Sequence, residues 1–103
     1  ERDAARRQGD HALTNRAYYL FAFDSPHAAI AAQRLLRDVG GAVMPTLRAI
    51  TASCGMSIRV GTELVARARE IMAGSAIDPA LYRLYYVEQE GADTRCTEVL
   101  EES

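Results

Sequence analysis

The stretch that most constrains how this chain folds is AYYLFAF, Ala17 to Phe23. In an extended strand successive side chains point to opposite faces. Tyr18, Leu20 and Ala22 therefore share one face, and Tyr19, Phe21 and Phe23 share the other. Both sets are apolar, so the segment reads as a central strand that must be covered on both sides. A chain of 103 residues has room for one domain around such a strand.

The rest of the chain supplies partners for that strand. Asp24-Ser25-Pro26 opens a helix, with Ser25 or Asp24 as N-cap and Pro26 in the first turn. Ala28, Ala32, Leu35 and Val39 recur at helical spacing, and Gly40-Gly41 stops the helix. A short strand at 42–45 and another near 56–60 follow. Gly61-Thr62 starts a second helix with Leu64, Val65, Ala68, Ile71 and Met72 on its apolar stripe and Gly74 at its end. After the turn 75–79, the last predicted strand is 82–88.

This order, β-α-β-β-α-β, predicts an α+β fold: a ferredoxin-like sandwich with a four-stranded antiparallel sheet and two helices on one face. The domain is expected over residues 17–88, between a loose, charged arm at 1–16 and an acidic tail at 89–103. Two helices cover only one side of the sheet. A second copy of the chain, forming a homodimer through the open face, is the simplest cover for the other.

The stretch Pro45 to Val60, which leaves the second predicted strand and runs into the third, carries Cys54 among small and hydroxylated residues in the connection. If the first strand runs upward, this connection lies at the same end as the start of the first helix. A helix N-terminus presents free N–H groups and partial positive charge, and a nearby thiolate is stabilised by it or by arginine. Arg48 and Arg59 flank Cys54, His27 is a candidate proton partner, and Ser25, Thr51, Ser53 and Gly55 can supply hydroxyl or main-chain donors. The plainer reading makes Cys54 a small packing residue, His27 a solvated one, Arg48 a stem laid over the sheet and Arg59 a partner for Glu63.

Several classes find no support. The 12 basic residues, all arginine, against 14 acidic ones give a net charge of -2, which argues against nucleic acid or an anionic membrane as partner. The two cysteines and two histidines lack metal-ligand spacing, no phosphate loop occurs, and no metal or other cofactor is expected. No apolar run reaches membrane-spanning length, and the opening residues lack the apolar core of a secretion signal. A cytoplasmic protein is expected. Cys96, in the predicted tail, reads as incidental or as a resolving thiol for Cys54.

Together, YYLFAFDSPHAAIAAQRLL, MPTLRAITASCGMSIRV and LYRLYYVE resemble the small selenium/sulfur carrier protein-like family. The shared core is P-x-x-R-x-I-S/T-x-x-C-G followed by a basic strand, matched here by Pro45, Arg48, Ile50, Thr51, Cys54, Gly55 and Arg59. Leu47 stands where many members have proline, and Thr51-Ala52-Ser53 where many have a serine run. The resemblance, over about 18–87, implies a carrier that holds sulfur or selenium on Cys54 as a persulfide or selenosulfide, with donor and acceptor proteins as partners. The alternative is a regulatory module of ACT type that binds a small molecule, with Cys54 structural. A purely structural assembly domain is a third reading.

Overall fold

β1, Asn15–Phe23, lies in the middle of the sheet, as its two apolar faces require. The computed structural model describes residues 15–50, 52 and 54–100. The predicted arm lies almost wholly outside them. After β1 come α1 (Pro26–Leu36), β2 (Ala42–Pro45), β3 (Met56–Val60), α2 (Val65–Ala73), β4 (Tyr82–Glu90) and β5 (Asp93–Glu98). Single turns of 3-10 helix extend α1 at Arg37–Val39 and precede β4 at Pro79–Leu81.

The strand order is β2-β3-β1-β4-β5, with every neighbouring pair antiparallel. Among the described residues the fold is thus α+β with two α-helices, but the sheet has five strands and not the four of the predicted ferredoxin-like arrangement. The extra strand comes from residues read in the sequence as tail. Gly91, at φ 61, sits first in the two-residue Gly91-Ala92 connection, where a hairpin turn matching strand twist accepts positive φ. The six residues that follow are polar or exposed except for a half-buried Cys96, so no apolar alternation marks the strand in the sequence. An edge strand can afford that composition, since charge there discourages pairing with other chains.

The two faces of β1 enter separate clusters. Phe21 and Phe23 pack with Ala28, Ala29, Ala32 and Leu36 of α1, Ala68 and Met72 of α2, and Ile58 and Val60 of β3. Tyr18, Leu20 and Ala22 pack on the other side with Val87 and Ile50. Ile50 belongs to the β2–β3 connection, as do Leu47 and Ala52, which also pack there. Part of the face for which a second copy was expected is therefore covered by the chain's own loop.

The helices depart from the sequence reading in detail. α1 buries Ala28, Ala29, Ala32 and Leu36, whereas Leu35 is 39% exposed. Ser25 is its N-cap, accepting from the Ala28 N–H at 3.3 Å. α2 begins at Val65, three residues later than Thr62, and Leu64 stays 42% exposed because the turn Gly61–Leu64 precedes the helix. At the end of α1's 3-10 turn, Gly41 donates to the Leu36 carbonyl at 2.9 Å. A Cβ at Gly41 would stand 2.9 Å from both Leu36 Cβ and Leu36 O, and 3.1 Å from Ile58.

Gly41→Ala is therefore expected to lower stability by roughly 1–3 kcal/mol, through crowding against a backbone that has no room to yield. Gly55→Ala, whose Cβ would meet nothing within 4 Å, is expected to stay within about 0.5 kcal/mol of the parent. Urea denaturation midpoints of the two variants check the contrast.

Candidate functional site

The residues between β2 and β3 form a closed loop whose ends meet. Thr46 N–H donates to the Gly55 carbonyl at 3.0 Å, and Ile50 N–H to the Leu47 carbonyl at 3.0 Å in the intervening turn. Compact loops with joined ends, packed by their own side chains, often carry function. Here the apolar residues Leu47, Ile50 and Ala52 rest on the sheet face turned away from the helices. Arg48 is exposed in the turn.

A hydroxyl pair anchors this loop. Thr46 Oγ1 donates to the Cys54 carbonyl at 3.3 Å and stands 2.7 Å from Ser57 Oγ. A hydroxyl has one proton, so Thr46 accepts from Ser57 in the shorter contact. Ser57 is fully buried in β3, opposite Ala22, where an unbonded hydroxyl would carry a desolvation cost. Sequence reasoning passed over both residues. The available signal was a serine inside the otherwise apolar start of MSIRV, with a threonine next to the preceding strand.

Cys54 closes the loop on the other side of the sheet. It is 7% exposed and belongs to the helix-side core with Phe23, Ala28 and Ile58. Its N–H donates to the Phe23 carbonyl at 3.2 Å, which fixes it beside the residue where β1 ends and two positions before the N-cap of α1. The thiol sulfur accepts from the Met56 N–H at 3.4 Å.

The other candidate residues are dispersed around this point. Ser25 spends its hydroxyl on the helix cap. His27 is exposed in the first turn of α1, and its side chain makes no hydrogen bond or ion pair with another described residue. Arg59 lies opposite Leu20, on the face away from the helices, with its guanidinium 4.5 Å from the centre of the Tyr18 ring. It thus stacks on an aromatic face, on the far side of the sheet from the thiol, and forms no ion pair with Glu63. Burial pushes the Tyr18 hydroxyl up in pKa, and the Arg59 charge pulls it partly back. Gly55 is exposed next to Cys54 and its carbonyl is taken by Thr46. Thr51 and Ser53 lie outside the described residues.

Cys96 is half-buried on the outer face opposite Val87, and burial raises its thiol pKa. The two cysteines thus belong to clusters on opposite faces of the sheet, and both are free thiols. This separation leaves Cys96 badly placed to resolve a bond formed at Cys54. Among the described residues no three of His, Cys, Asp and Glu come together as a group able to hold a metal ion.

Thr46→Val keeps the shape of the side chain but leaves the buried Ser57 hydroxyl without its partner. It is expected to cost about 1–3 kcal/mol and to speed alkylation of Cys54 in the folded protein. Adding Ser57→Ala removes the orphaned hydroxyl, so the double variant should recover part of the loss. A double-mutant cycle by denaturation, with iodoacetamide labelling followed by mass spectrometry, measures both effects; equal destabilisation in the single and double variants would remove the hydroxyl pair as the loop's anchor.

The comparisons with known proteins bear on the same segment. No curated protein and no solved structure matches the chain. Residues 18–83 match the family described as "Putative Se/S carrier protein-like". That span runs from the start of the buried part of β1 through both helices and the whole Cys54 loop to the second residue of β4. The chain belongs to this Se/S carrier protein-like family.

Proposed function

We propose that the protein carries sulfur or selenium on Cys54 and passes it between enzymes. The observation that supports this most directly is the Met56 N–H held 3.4 Å from the sulfur of Cys54, the motif cysteine, in a chain of the family described as "Putative Se/S carrier protein-like". In the sulfur case the Cys54 thiolate attacks the outer sulfur of a donor persulfide, R–S–SH. The new bond joins Cys54 Sγ to that sulfur, the S–S bond of the donor breaks, and the donor leaves as the thiolate R–S⁻. An acceptor thiolate takes the outer sulfur in the same way and regenerates Cys54. Neither step needs an oxidant or reductant, and a reducing cytoplasm is its natural setting.

The burial of Cys54 sets a condition on this chemistry. A donor sulfur must approach along the line of the bond being formed, and a thiol that is 7% exposed does not allow it. The loop between Thr46 and Gly55 must therefore open at its Cys54 end for loading. The α1 N-terminus, beside which Cys54 is held, then meets the anionic outer sulfur, with the exposed Arg48 and His27 as further partners.

Incubation with a cysteine desulfurase and cysteine, followed by intact-mass analysis, is expected to show one added sulfur on the wild type and on Cys96→Ser, and none on Cys54→Ser. Loading of the Cys54→Ser variant, or none of the wild type, would defeat the proposal. The burial of Cys54 also favours a second reading, in which the residue packs the core and the protein is a ligand-binding module. The two differ in thiol kinetics. A carrier labels at Cys54 in the folded state far faster than global unfolding allows, while a packing cysteine labels only as fast as the protein unfolds.

A further inference from the structure

Away from Cys54, a cleft of about 240 Å³ lies between α2 and the β4–β5 ladder. Its floor is apolar: Phe21, Met72 and Leu84 are all buried, and the Tyr82 ring stands edge-on to Phe21 at 5.9 Å between centroids. One wall is the chain just after β5. Val99 N–H donates to the Leu84 carbonyl at 2.8 Å, which holds this segment beside β4 and turns Val99 toward the helices. Leu100, at the same wall, is 71% exposed. Residues 98–100 lie beyond the span matched by the family, so this wall is not part of what the family match defines.

Three charged residues border the cleft: Arg69, Arg83 and Glu98. The ladder separates them. Arg83 pairs with Ala22, and Glu98 with Tyr85, both of which face the outer side of the sheet. Arg83 reaches Asp24 at 3.8 Å. The two residues therefore offer main chain to the cleft, while their charges lie on the opposite face. Arg69 is different. It is half-buried on α2 beside Met72 and Ala73, and has no ion-pair partner among the described residues. Its helix neighbours Arg67 and Glu70 pair with each other at 3.1 Å.

A cleft with an apolar floor and one guanidinium that has no ion-pair partner among the described residues favours one ligand chemistry. We propose that this cleft binds a small monocarboxylate with an aromatic or branched apolar body, the carboxylate on Arg69 and the body over Phe21, Met72, Leu84 and Val99. Arginine matches a carboxylate through two parallel N–H donors. The volume lies somewhat below the roughly 300–1,000 Å³ usual for small-ligand clefts, which limits the occupant to a compact molecule. A neutral analogue forgoes the guanidinium, and acetate forgoes the apolar floor.

The site is independent of the thiol, so it can be tested without reference to sulfur transfer. Benzoate titrated into the ¹⁵N-labelled protein is expected to give saturable shifts centred on the amides of Ala73, Leu84 and Val99. Benzyl alcohol and acetate should each bind at least about tenfold more weakly. Arg69→Gln should bring benzoate down to the level of benzyl alcohol without changing benzyl alcohol itself, and Arg69→Lys should restore part of the difference. The dispersed spectrum of each variant reports that it is folded, and Cys54→Ser should bind benzoate as the parent does. No saturable shift with any probe, shifts centred elsewhere, or benzoate affinity indifferent to Arg69→Gln would each overturn the assignment.

Discussion

A strand with two apolar faces needs two covers, and two helices supply only one. That constraint organises the rest of the chain. Tyr18, Leu20 and Ala22 are buried because the β2–β3 loop folds back over them and sets Ile50 into their midst. The loop then has to return to β3, and its path passes the end of β1. There the Phe23 carbonyl takes the Cys54 N–H, and Cys54 enters the helix-side core. One loop thus touches both hydrophobic clusters. Its closure by Thr46, Ser57 and the Cys54 carbonyl holds together the two sides of the sheet as well as the site.

The family motif reads differently in this light. Ile50 is a plug in the outer cluster, and Pro45 ends an edge strand, where a residue without an N–H is tolerated. Gly55 lends a carbonyl to close the loop. Much of the pattern therefore builds the loop, and what the construction delivers is a sulfur beside a main-chain donor at the head of α1. The same packing that fixes Cys54 also covers it. Loop stability and access to the thiol are opposed, and any exchange at sulfur draws on the free energy stored in the hydroxyl pair and in Ile50's burial.

The central strand, both helices and the inner strands were legible because each rests on a local signal: two-sided apolarity in β1, Ser25-Pro26 at one helix start, Gly40-Gly41 at its end. Helical spacing proved blunter than register, placing Leu35 and Leu64 inside where the structure leaves both exposed. β5 was hidden because a polar edge strand has no apolar period, and only Gly91 hinted at the turn. At the site, topology was enough to bring Cys54 to the start of α1. The side of the sheet on which each residue falls was not legible. It depends on how the loop crosses the sheet, and this is why Arg59, five positions from Cys54, stacks on Tyr18 across the sheet from it.

The fifth strand also changes what the molecule presents to others. Without it, β4 would be a nine-residue edge containing Leu84, Tyr85, Tyr86 and Val87, long and apolar enough to invite pairing with another chain. With it, one edge is a short polar strand that carries Asp93, Arg95 and Glu98, and the other is the four-residue β2 ending in Pro45. Both edges are thereby blunted. Extension of the sheet from chain to chain along these edges is disfavoured, and among the described residues the β2–β3 loop covers only part of the outer face, leaving Arg59 exposed and Tyr85 and Cys96 half-buried.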